Sequence, residues 1–127
     1  VGECSILLVD DETIFLETLA KRLARRGLTV HTADSGKNAL EVLAAHPVDV
    51  VLLDVRMPGL DGMDTLSLIK RGHPAVEVIM LTGHANVDAA MRGMEEGAFD
   101  YLMKPADIDD LYHKIEDAFR KRQLSGG

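Results

Sequence analysis

The sequence predicts an α/β fold: a five-stranded parallel sheet made of five strand–helix units, doubly wound with helices on both faces. Three observations predict it. Short apolar runs recur five times, stretches with helical spacing separate them, and glycines or capping residues stand at the joints.

The first run, Ile6 to Val9, leads into Leu16, Leu19, Ala20 and Leu23, which follow the i, i+3, i+4, i+7 spacing of one helix face. Gly27 stands where that helix should stop. The second run, Leu28 to Thr32, precedes Asp34-Ser35, a helix starter, and a candidate helix from Gly36 to Ala45. The third and fourth runs, Val48 to Leu53 and Val76 to Leu81, are nearly continuous, as strands covered on both faces should be. A candidate helix, Asp61 to Ile69, lies between them. Val87, Ala90, Met91 and Met94 repeat the helical spacing, and Gly97 marks its end. The last run, Tyr101 to Met103, is followed by Asp107 as a cap for a helix carrying Ile108, Leu111, Tyr112 and Ile115. There is no internal repeat and no low-complexity tract.

The chain has 127 residues, enough for one domain with a real core. The expected boundaries are 3–122 for the domain and 123–127 for a flexible tail or linker. Aromatic residues make up only 4%, so the core must come from Leu, Val, Ile, Met and Ala. A net charge of −7 argues against nucleic-acid contact by this domain, because that role needs a basic surface. Cys4 is the single cysteine, so no internal disulfide can form. No apolar run approaches a membrane span and no signal peptide is evident, so a cytoplasmic location is expected.

Sites in such a sheet form beyond the carboxyl ends of the strands. The first run ends in Asp10-Asp11, the third in Asp54, the fourth in Thr82 and the fifth in Lys104-Pro105. Taken singly, these residues read as caps, turn residues or solvated charge. Together they have a chemistry. Three carboxylates at one edge repel each other unless a cation sits among them. Oxygen-only ligands suit a hard ion such as Mg²⁺, with Mn²⁺ as a substitute. Lys104 and Thr82 suit the oxygens of a phosphoryl group, and a carboxylate can act as nucleophile to form an acyl phosphate. Asp54, on the central strand, is the best placed of the three.

Four segments carry a family resemblance: Ile6-Leu7-Leu8-Val9-Asp10-Asp11-Glu12, Asp54-Val55-Arg56-Met57-Pro58-Gly59-Leu60-Asp61-Gly62, Leu81-Thr82-Gly83, and Gly97-Ala98-Phe99-Asp100-Tyr101-Leu102-Met103-Lys104-Pro105. Along nearly its whole length the chain resembles the receiver domain of bacterial two-component response regulators. The resemblance implies the flavodoxin-like strand order 2-1-3-4-5 and phosphorylation of Asp54 by a sensor histidine kinase or phosphotransfer domain. It implies Mg²⁺ bound directly by Asp11 and Asp54, mainly through water by Asp10, and by the backbone carbonyl of Arg56. Lys104 would pair with the carboxylate and later with a phosphoryl oxygen, Thr82 would swing to the phosphoryl group, and Tyr101 would rotate in behind it. The Lys104–Pro105 bond would be cis. The fourth helix, fifth strand and fifth helix would form the responding face and a candidate homodimer surface. Gly97 to Pro105, with Phe99, looks more like receivers of the nitrogen-regulator type of transcription activator than like those of the winged-helix class.

Arg56 and His84 flank the path of attacking water in that family and are the positions that could change the lifetime of the phosphorylated state. His31, His46, His73 and His113 lack metal-ligand spacing and read as structural or surface groups. Arg120-Lys121-Arg122 is open to three readings: a DNA-contacting patch, the start of a linker, or cations at a helix C-terminus. Lys21, Arg22, Arg25 and Arg26 form either a kinase-docking face or a solvated one. Three rival functions remain. A haloacid-dehalogenase-type phosphatase would need Asp-x-Asp where this chain has Asp10-Asp11-Glu12. A flavodoxin-like carrier would need a phosphate-cradling loop where two aspartates stand. An interaction-only receiver would not be phosphorylated at all.

Overall fold

The computed structural model describes residues 3–55, 62–83 and 86–126. Five strands and five helices alternate: β1 (Ser5–Val9), α1 (Thr13–Ala24), β2 (Thr29–Ala33), α2 (Gly36–Ala45), β3 (Val50–Asp54), α3 (Gly62–Gly72), β4 (Glu77–Thr82), α4 (Val87–Glu95), β5 (Asp100–Met103) and α5 (Ile108–Gly126). The strands form one parallel sheet in the order β2-β1-β3-β4-β5, as the resemblance implied. Short strands with long helical connections can pair in parallel only by crossing over a face of the sheet.

Successive strand residues point to opposite faces, so the sheet makes two cores. Leu7, Val9, Val51, Leu53, Val78 and Met80 face α2, α3 and α4, where Ala39, Leu43, Leu66, Ile69 and Ala90 meet them. Ile6, Leu8, Val50, Leu52, Ile79 and Leu81 face α1 and α5, against Leu16, Leu23, Leu111, Ile115, Ala118 and Phe119. β3 and β4 are buried along their whole length, which is why their sequences lack alternation.

The helix ends follow their local chemistry. Ser35 accepts the Asn38 backbone N–H at the start of α2, and Asp107 accepts those of Asp109 and Asp110 at the start of α5. Gly27 and Gly97 take positive φ values of 92° and 106° just past α1 and α4, a conformation that a side chain would strain.

Two expectations need correction. Met91 and Met94 do not line a buried stripe: Met91 is 57% exposed and Met94 37%. α4 instead presents Ala90 and Gly93, and a Cβ at position 93 would collide with the end of the Met80 side chain, so close approach selects the small residues. Residues 123–126 are helical and form the end of α5. Gln and Leu are good helix formers, and no Pro or Gly interrupts the helix before Gly126. Most helix and strand ends also shift by a residue or so from the expected ones, and Asp61, the expected start of α3, lies outside the described residues.

Four of the basic groups left open by sequence lie beside acidic groups of the chain. Lys121 sits 3.3 Å from the buried Glu77 carboxylate, and Arg122 lies 3.9 Å from Asp49. Arg120 pairs with Asp117. On the same side, Arg26 pairs with Asp109 and lies 5.1 Å from the centroid of the Tyr112 ring, tying α1 to α5. His31 and His46 stack at 4.7 Å, a packing contact between β2 and the end of α2. Among the described residues no helix is long and apolar enough to cross a membrane.

Candidate functional site

Parallel strands deliver their carboxyl ends to one edge. Asp10 and Asp11 follow β1, Asp54 closes β3, Thr82 closes β4, and Lys104 follows β5. The carboxylates of Asp10, Asp11 and Asp54 each place an oxygen within 4.8 Å of the others. Asp11 is exposed, while Asp10 and Asp54 are only 2% and 6% exposed. Two buried carboxylates this close are tolerated only if positive charge or donors face them.

Lys104 supplies part of that charge. Its Nζ donates to Asp10 Oδ2 at 2.6 Å, and lies 3.5 Å from Glu12 Oε1 and 3.9 Å from Asp54 Oδ1. The ammonium thus reaches both buried carboxylates, Asp10 more closely than the phosphoacceptor candidate. Asp10 Oδ1 accepts the Glu12 backbone N–H at 2.9 Å. Burial works to lower the Lys104 pKa, but the Asp10 hydrogen bond and the charges of Asp10, Asp54 and Glu12 outweigh it. The net effect holds the ammonium above its ordinary value. One ammonium does not neutralise three carboxylates. The all-oxygen donor set and its spacing therefore fit a hard divalent cation, which Asp10, Asp11 and Asp54 could hold.

Thr82 is buried, and its hydroxyl donates to the Gly83 carbonyl at 3.1 Å. Tyr101 is half-buried on β5, paired in register with Met80, and packs against the core that contains Ala90 and Ala98. The Lys104–Pro105 peptide is cis. Arg56 and His84 lie outside the described residues. Sequence reasoning passed over two groups, Glu12 and Phe15, both of which touch Lys104. Proximity to the acidic pair, with Phe15 four residues after Asp11, was the available signal.

The geometry has a counterpart among known proteins. The model of the response regulator receiver domain matches residues 6–116. The chain belongs to the response regulator receiver family.

Its relatives include the DNA-binding transcriptional regulator NtrC of Escherichia coli K12, 43% identical over 118 residues that cover 93% of this chain and 25% of that protein. The transcriptional regulatory protein GlrR of the same organism is 40% identical over 116 residues, covering 91% and 26%. The receiver thus spans about a quarter of the length of these curated relatives. A receiver domain protein from Clostridium thermocellum superposes with a TM-score of 0.91 at 40% identity, covering 95% of this chain and 98% of that one. NtrX from Brucella abortus gives 0.91 at 33% identity, covering 96% and 28%. The chain is similar to the receivers of NtrC and NtrX, and the comparisons lend no support to the phosphatase alternative.

Proposed function

We propose that Asp54 is the phosphoacceptor of this receiver, with Mg²⁺, or Mn²⁺ in its place, held by Asp10, Asp11 and Asp54. The backbone carbonyl of Arg56 completes the expected set of protein ligands. The observation that carries this reading is the meeting of three carboxylates and Lys104 at one sheet edge. An Asp54 carboxylate oxygen attacks phosphorus in a phosphohistidine of a sensor histidine kinase or phosphotransfer domain. The O–P bond forms, the P–N bond breaks, and the imidazole leaves with the electron pair. A cation held by these residues would supply charge neutralisation at the transferring oxygens. Lys104, already within 3.9 Å of Asp54, moves onto a phosphoryl oxygen, and the Thr82 hydroxyl turns from the Gly83 carbonyl to another. Tyr101 follows Thr82, and the face made by α4, β5 and α5 carries the change to a partner, a second copy or an output domain.

Resemblance to NtrC and GlrR supports a transcriptional output in the cytoplasm through residues outside this chain. The test uses acetyl phosphate and Mg²⁺. The wild type gains one acid-stable, base-labile phosphoryl group, a chelator prevents it, and Asp54→Asn abolishes it. Labelling retained in Asp54→Asn overturns the site. No labelling of the wild type under any divalent cation favours an interaction-only receiver, and turnover of phosphate monoesters favours a phosphatase.

A further inference from the structure

We propose that Phe15 is a positioning residue for phosphoryl transfer, holding the Lys104 ammonium in place with the face of its ring. This rests on Asp54 being the phosphoacceptor. Lys104 Nζ lies 4.5 Å from the centroid of the Phe15 ring, inside the range where a cation is attracted by the ring quadrupole. The same ammonium touches Asp10 at 2.6 Å and stands 3.5 Å from Glu12 and 3.9 Å from Asp54. The Lys104 side chain is only 20% exposed, so the attraction acts in a partly desolvated place.

The chemistry of the ring is what distinguishes this contact. An ammonium has three N–H donors and no acceptor. Carboxylates compete for those donors, and so would a phosphoryl oxygen. An aromatic face attracts the charge without being an ion itself. Phe15 therefore keeps the ammonium beside both buried carboxylates while leaving its donors for Asp10 and for the phosphoryl oxygen that forms on Asp54. The ring is itself part-buried. It lies in the first turn of α1 and packs against the core containing Leu16, Leu52, Leu81 and Leu111. An aliphatic side chain at this position could fill the space but could not attract the charge.

The experiment grades the ring quadrupole without changing its shape. Mono-, di- and trifluorinated phenylalanine are incorporated at position 15 of the whole chain, and the rate of labelling by acetyl phosphate with Mg²⁺ is measured. Thermal unfolding is recorded on the same samples. The rate should fall stepwise with fluorination, by about threefold to tenfold across the series, while the unfolding temperature stays level. Phe15→Leu should match the most fluorinated protein, and Phe15→Tyr should retain the wild-type rate. The ε-methylene protons of Lys104 should move downfield in Phe15→Leu as the ring current is lost. A flat rate across the fluorinated series, with only Phe15→Leu slowed and less stable, would reduce Phe15 to a core residue and overturn the proposal. Loss of Asp54 as the labelled residue is a separate failure, read from retained labelling in Asp54→Asn.

Discussion

Replacing Lys104 by Met tests how the acidic edge is held together without metal. Met keeps most of the aliphatic stem and removes the charge. Asp10, 2% exposed, then loses its 2.6 Å donor and keeps, among the described residues, the Glu12 N–H. Removing one member of a buried pair costs about 3–5 kcal/mol, because the remaining charge is stranded. Two features reduce that here. Lys104 is one-fifth exposed, so solvent screens part of the pair, and Asp10 keeps one hydrogen bond. The expected loss is about 2–4 kcal/mol, read as a lower urea midpoint at neutral pH with a chelator present. Saturating Mg²⁺ should return part of it, since a cation binding only the folded carboxylates stabilises by mass action. In the double variant with Asp10→Asn the losses should be less than additive, with a coupling of about 1–3 kcal/mol. The pH dependence has a definite sign. The folded Lys104 pKa is raised, so its contribution is fully present below the unfolded lysine value and is lost as pH rises through the higher folded value. A Lys104→Met variant within about 0.5 kcal/mol of wild type in chelator, with no response to Mg²⁺, would refute the reasoning.

Two further outcomes follow from packing. A Cβ at position 62 would lie 2.5 Å from the Val55 carbonyl oxygen and 2.7 Å from that of Asp54. Gly62→Ala should therefore displace the start of α3 and lower stability by about 1–3 kcal/mol, measured by denaturant unfolding, with a fall in acetyl phosphate labelling because the Asp54 backbone is pushed. Cys4 is fully buried, and burial, with the Asp49 charge beside it, pushes its thiol up to about 12. It should resist thiol reagents at pH 8 in the folded protein and react fully in urea; rapid native-state labelling would contradict its burial.

The fold was legible because β1, β3 and β4 are continuous apolar runs and the helices between them carry one-sided stripes. The strand-end residues Asp10, Asp11, Asp54 and Lys104 were legible for the same reason: once parallel, their strands had to bring them to one edge. Contacts between distant elements were not. Glu77 reads as a charge at a strand start, yet it is buried under Lys121, 44 positions away. Arg120 to Arg122 stayed open between a patch, a linker and a helix end because the partners of Lys121 and Arg122, Glu77 and Asp49, sit far away in the chain. The α4 stripe misled because Met91 and Met94 fit the period as well as Ala90 does. What turned the helix was the need for Gly93 to approach Met80, a steric fact with no hydropathy signal. Phe15 was missed because an apolar residue in the first turn of a helix reads as core, and its second role depends on where Lys104 lies.

The alternation of side chains across the sheet also makes it a bulkhead between two compartments. α2, α3 and α4 share one hydrophobic filling, and α1 and α5 share the other. A substitution that empties space on one side therefore meets first the helices of that side, since the strand backbones stand between the two fillings. Asp54, at the end of the central strand, sits on the rim of that wall. A charge added at that rim would stand at the border of both fillings, so the two helical layers could respond to it together.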